Sequence, residues 1–150
     1  MSKFLSNRHR ILSSVILAAA TFVSFSAVAH HSFAMYDRTK EMTLTGKLTR
    51  FIPGANHAQL IFELIDANGD PITGDDGRPV AWGVETGPAS QIAEQGITVA
   101  SFPVGTIITV TLNPLRDGRT VGVLAGAIIK CGMALPAGGC TAATGESFTR

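Results

Sequence analysis

From Met42 to Phe51 the chain alternates, with Met42, Leu44, Gly46 and Leu48 on one side and Thr43, Thr45, Lys47 and Thr49 on the other. A period of two suits a half-buried strand and no helix, and the pattern returns down the chain. Residues 57–66 repeat it, with Leu60, Phe62 and Leu64 opposite Gln59, Ile61, Glu63 and Ile65. Residues 79–86 set Val80, Trp82 and Val84 against Ala81, Gly83 and Glu85, which makes Trp82 a core candidate. Residues 106–112 alternate again, and 121–129 form a run of Val, Ile and small residues that suits a closely packed strand. Turn formers separate these runs: Pro53-Gly54-Ala55-Asn56, Asn68-Gly69, and Asn113 to Arg119.

One segment departs from the pattern. Pro88 opens a helix that runs through Gln95, barely two turns long, with Ala89, Ile92 and Ala93 on one face and Gly96 placed to end it. Three strands, a short helix and two strands make an all-β chain with one short helix. That order fits a five-stranded Greek-key barrel of the oligonucleotide/oligosaccharide-binding (OB) type, whose helix closes one end between the third and fourth strands. The alternative, a small β-sandwich, wants about seven strands. In the barrel, the loop carrying Gly54 to His57 and the loop from Asn113 to Arg119 are expected to border the ligand face.

The first 29 residues read differently. Lys3, Arg8 and Arg10 precede an apolar run from Ile11 to Phe25, and Ala27-Val28-Ala29 supplies a small-x-small cleavage pattern. The run is shorter than the roughly 20 residues that span a bilayer, so a cleaved signal is expected rather than an anchor. Four regions follow: 1–29 a signal peptide, 30–41 a lead-in, 42–130 the barrel, and 131–150 a stapled loop and loose tail. Phe33, Met35 and Tyr36 in the lead-in are placed to pack as a flap on the barrel. Cleavage lowers the 12 Lys and Arg to 9 against 11 Asp and Glu, a net charge of −2. A mildly acidic chain without a basic run is expected to bind no nucleic acid, and the expected partner is an unidentified small molecule or periplasmic protein. In an exported chain the paired Cys131 and Cys140 are expected to be a disulfide.

The segments His30-His31-Ser32-Phe33-Ala34-Met35-Tyr36-Asp37, Leu44-Thr45-Gly46, Asn56-His57-Ala58, Trp82-Gly83-Val84-Glu85 and Pro114-Leu115-Arg116-Asp117-Gly118 resemble, in that order, small exported bacterial proteins grouped as domain of unknown function 6152. Those proteins show Asn-Pro-His after a tryptophan where this chain has Ile52 to His57, and Gly-Trp where it has Gly96-Ile97. The resemblance implies a bacterial periplasmic protein of unassigned activity.

The candidate chemistry is sparse. Cleavage after Ala29 would leave His30 with a free α-amine, His31 behind it, and His57 as the remaining histidine of the mature chain. Amine and imidazole nitrogens of this kind suit Cu(II), provided that His57 folds back onto the terminus. Asn56, Glu85, Arg116 and Asp117 are the candidates for a polar ligand or partner face. The acidic turn from Asp66 to Asp76 lacks the glycine and closing glutamate of a calcium loop and reads as a solvated turn. No nucleophile elbow, phosphate loop or zinc-protease motif is present, so a hydrolase or redox enzyme is the least supported class. The expected function is an exported, non-enzymatic binding module, with a copper-binding protein as the alternative.

Overall fold

The computed structural model describes residues 33–148. The fold belongs to the unit that begins at Met35. Its elements are β1 (Met42–Ile52), β2 (Gln59–Leu64), β3 (Ala81–Glu85), α1 (Ala89–Glu94), β4 (Ile107–Pro114), β5 (Val121–Lys130) and β6 (Glu146–Phe148). Neighbours run in the order β3-β2-β1-β4-β5-β6, and a further parallel pairing of β3 with β5 closes β1 to β5 into a barrel. The expected five-stranded OB-like barrel with one short helix is the architecture observed.

The length of β1 makes the closure possible. Residues 42–47 pair with β4, while 46–52 pair with β2, so one strand serves two partners. The strands press together where they change over. A Cβ on Gly46 would collide with the Glu63 carbonyl oxygen and lie 2.6 Å from the Phe62 ring. Beyond it the register with β2 shifts between Leu48 and Arg50. This bulge lets Leu48 and Phe51, three residues apart, both serve the core.

The barrel interior is filled by Leu48, Leu60, Phe62, Val84, Ile108, Val110, Leu112 and Ile128, all fully buried. Helix α1 has no side-chain cap and no charge suited to its dipole, so burial of Ile92 holds it in place rather than local propensity. Ile92, Ile97 and Phe102 join the barrel core.

Two satellite clusters sit outside the barrel. The Cys131–Cys140 disulfide is formed, with Cα atoms 5.7 Å apart. Its loop lays Cys140 against Ile65 and Ile107, with Leu135 beside them. The Thr109 hydroxyl also donates to the Cys140 carbonyl at 2.8 Å. The start of β4 is therefore buried on both faces, which its alternation of Ile and Thr did not announce. The second cluster joins Tyr36 to Leu115 and Val123.

The tail differs from expectation. Residues 146–148 form β6 and pair with Ile128–Lys130 of β5. Phe148 packs edge-to-face on Phe102, with centroids 5.0 Å apart. One aromatic residue anchors the strand, and a single anchor leaves no period to read.

Candidate functional site

A trough of about 520 Å³ runs along the outer face of β3. Outward positions on this strand are Ala81, Gly83 and Glu85, so the floor is low at two steps and polar at the third. Cross-strand neighbours build the walls. Gln59 and Ile61 stand on the β2 side, paired with Glu85 and Gly83. Val121 stands on the β5 side, followed by Thr120 and Arg119 of the β4–β5 loop and by Met35 and Tyr36 of the arm, the lead-in before β1. The barrel thus uses its second and third strands and its last loop, the face on which OB folds commonly hold ligands.

The arm is tied down by backbone bonds. The Arg116 N–H donates to the Met35 carbonyl at 2.9 Å, and the Asp37 N–H donates to the Pro114 carbonyl at 2.8 Å. Between them, Tyr36 bridges to Leu115 as a one-residue extension of the sheet. Its ring is 2% exposed against Leu115 and Val123. The hydroxyl reaches the trough and donates to Glu85 Oε2 at 2.6 Å, while Gln59 Nε2 donates to Glu85 Oε1 at 3.1 Å. Burial pushes the Tyr36 phenol far above its ordinary range, and its bond to the Glu85 carboxylate and that group's charge push the same way, against a smaller opposing pull from Arg119. At neutral pH Tyr36 is a fixed donor.

A second cleft of about 470 Å³ is lined by Asp37, Lys40, Met42, Arg116 and Gly118, and shares Trp82, Leu115 and Arg119 with the trough. Asp37 lies 3.6 Å from the Lys40 ammonium and 3.9 Å from the Arg116 guanidinium. Its carboxyl is held below the usual range, first by the Thr39 hydroxyl, then by the Thr39 N–H and the two cations. Arg119 Nε is paired with Asp117 at 2.8 Å.

The polar residues expected from sequence separate in space. Glu85 lies in the trough and Arg116 in the second cleft; Asp117 is exposed and bonds Arg119. Asn56 is exposed in the β1–β2 loop. That loop is tied to the corner after β3, where the Ala89 N–H donates to the Gly54 carbonyl and the Ala58 N–H to the Gly87 carbonyl. The β4–β5 loop is instead held by the arm. His57 Nδ1 lies 3.2 Å from the Thr86 carbonyl oxygen. His30 and His31, which the copper reading needs, lie outside the described residues. Among the described residues no group of three His, Cys, Asp or Glu could hold a metal ion. Trp82, expected in the core, does pack against it but stays partly exposed and borders both clefts. Tyr36, Gln59 and Gly83 were not foreseen as site residues, whereas Arg119 belongs to the loop expected to border the ligand face. Gly83 alone carried a signal, since a glycine inside a strand often marks close approach of another group.

The sequence of residues 18–125 matches the family of unknown function DUF6152. The chain belongs to this family. DUF6152 membership agrees with the resemblance read from the sequence and attaches no activity. No curated protein matches the chain. Among solved structures, the DUF6152 chain is similar to a crystal structure of the mitochondrial single-stranded DNA-binding protein Rim1 from S. cerevisiae. The two are 12% identical, the match covers 63% of this chain and 96% of that one, and the TM-score is 0.44. The expectation that nucleic acid is excluded as a partner is withdrawn on this finding. Net charge describes a whole surface, whereas binding is decided in a local groove. At this TM-score the likeness assigns no ligand to the DUF6152 chain.

Proposed function

We propose that this protein is an exported, non-enzymatic binding module whose ligand lies in the trough along β3. The observation that carries the reading is the trough itself, with Glu85 fixed on its floor by Tyr36 and Gln59. Binding sites for small ligands have volumes of roughly 300–1,000 Å³, with apolar walls and a few converging polar groups. This trough has that character. Its polar groups are suited to holding rather than reacting: Tyr36 stays protonated, and both Glu85 oxygens already accept a hydrogen bond. Export rests on the sequence before His30, and mass spectrometry of the protein recovered from its producing cell should give a chain beginning at His30. A mass that retains the earlier residues would overturn the export reading.

Trp82 is the only tryptophan, and it borders both clefts. Its fluorescence is therefore a direct reporter of occupancy. Titration with neutral disaccharides, putrescine, benzoate and oligothymidylate should give a saturable change for one class, lost in Glu85→Ala or, for an anionic probe, in Arg119→Ala. Saturable binding that ignores both Glu85→Ala and Arg119→Ala would place the ligand elsewhere. Chemical conversion of a bound probe would overturn the non-enzymatic part.

A further inference from the structure

Gly83 sits at the centre of the trough, and the fold does not require it to be glycine. Its φ is not positive, and a Cβ built there would meet only Val121 Cγ2, at an ordinary 3.6 Å. Glycine inside a strand is disfavoured both by the entropy it loses and by the side chain it fails to pack. Gly46 makes the contrast, because there a Cβ would strike the backbone of the neighbouring strand. What Gly83 supplies is depth, between Ile61 on one side and Val121 on the other.

The polar groups around that depth are mixed. Glu85 offers its remaining lone pairs and Gln59 its side-chain carbonyl, while Arg119, bound to Asp117 through Nε, presents further guanidinium N–H groups at the rim. An ammonium ligand would satisfy Glu85 and be repelled by Arg119, and a carboxylate would do the reverse. Hydroxyls both donate and accept, so a polyhydroxylated ring satisfies both ends while its C–H face lies over Gly83 and Ile61. We infer that the trough binds a neutral saccharide of one or two rings seated over Gly83. This rests on the trough being the binding site.

The test is Trp82 fluorescence with cellobiose and other neutral disaccharides, on the full protein and on Gly83→Val, Gly83→Ala and Glu85→Gln. A valine at 83 fills the trough with side chain while suiting a strand, so affinity should fall on the order of 10- to 100-fold without a loss in thermal midpoint. Gly83→Ala should weaken binding less, and Glu85→Gln should weaken it without blocking it. No saturable response to any neutral disaccharide overturns the inference. If putrescine, benzoate or oligothymidylate then binds in a manner that Gly83→Val abolishes, the saccharide assignment falls and the trough stands. Disaccharide binding unchanged in Gly83→Val removes both. A lowered thermal midpoint in both Gly83 variants would make the glycine structural and likewise overturn the inference.

Discussion

Replacing Tyr36 with phenylalanine removes one oxygen and leaves the ring packed on Leu115 and Val123. The bond lost is the 2.6 Å donation to Glu85 Oε2. Hydrogen bonds to charged groups contribute roughly 1.5–3 kcal/mol, and the trough is open enough for water to replace the hydroxyl, so the lower end applies. A loss of about 1.5 kcal/mol should lower the thermal midpoint by about 6 °C, taking about 2.1 cal/mol/K of unfolding entropy per residue over a domain of this size. Alkaline pH gives an independent reading. A phenol whose pKa is raised by folding binds its proton more tightly in the native state. Its contribution is therefore complete below the unfolded value near 10 and is lost as pH rises above it, by about 1.4 kcal/mol per pH unit. Tyr36 is the only tyrosine in the chain, so phenolate absorbance follows it alone. The expected result is no phenolate until the protein unfolds, together with an alkaline stability slope that is shallower in Tyr36→Phe. A phenol titrating near pH 10 in the folded protein would refute the reasoning. So would a Tyr36→Phe, Glu85→Gln double-mutant cycle with coupling below about 0.3 kcal/mol.

Two further predictions concern the scaffold. Replacing Cys131 and Cys140 together by serine, or reducing them, should cost about 2–3 kcal/mol in denaturant unfolding, from loop closure over a separation of 9 residues; an unchanged midpoint would show that packing on Ile65 and Ile107 holds the loop unaided. Gly46→Ala should destabilise by about 1–3 kcal/mol because its Cβ meets the Glu63 carbonyl oxygen, whereas Gly83→Ala should be neutral or stabilising by up to about 1 kcal/mol. Equal effects at the two positions, measured by thermal unfolding, would remove the distinction between them.

Local chemistry made much of the barrel legible. Alternation in β1 assigned Leu48 to the core and Lys47 to solvent, and the structure agrees, because the pleat sends successive side chains to opposite faces whatever lies across the strand. Gly96 was legible as the end of α1 for a similar reason: its φ of +83° suits glycine, and its N–H closes the last turn on the Ala93 carbonyl. The site was legible only in fragments. Glu85 could be placed on the polar face of its strand, but its partners Tyr36 and Gln59 lie 49 and 26 residues away in sequence. No local pattern encodes such a meeting.

By itself, then, the sequence determined that the segments of β1 to β5 are strands, which residues β1 to β3 turn inward through their alternation, where the short helix stops, and that the two cysteines pair. Tertiary structure decided the rest. It set the parallel contact of β3 with β5, the bulge that redirects Phe51, the capture of Phe148 by Phe102, and the arm that carries Tyr36 to Glu85. The physical reason is range. Pleat, turn and cap preferences act over a few residues, whereas closure of the barrel fixes which distant side chains share the trough.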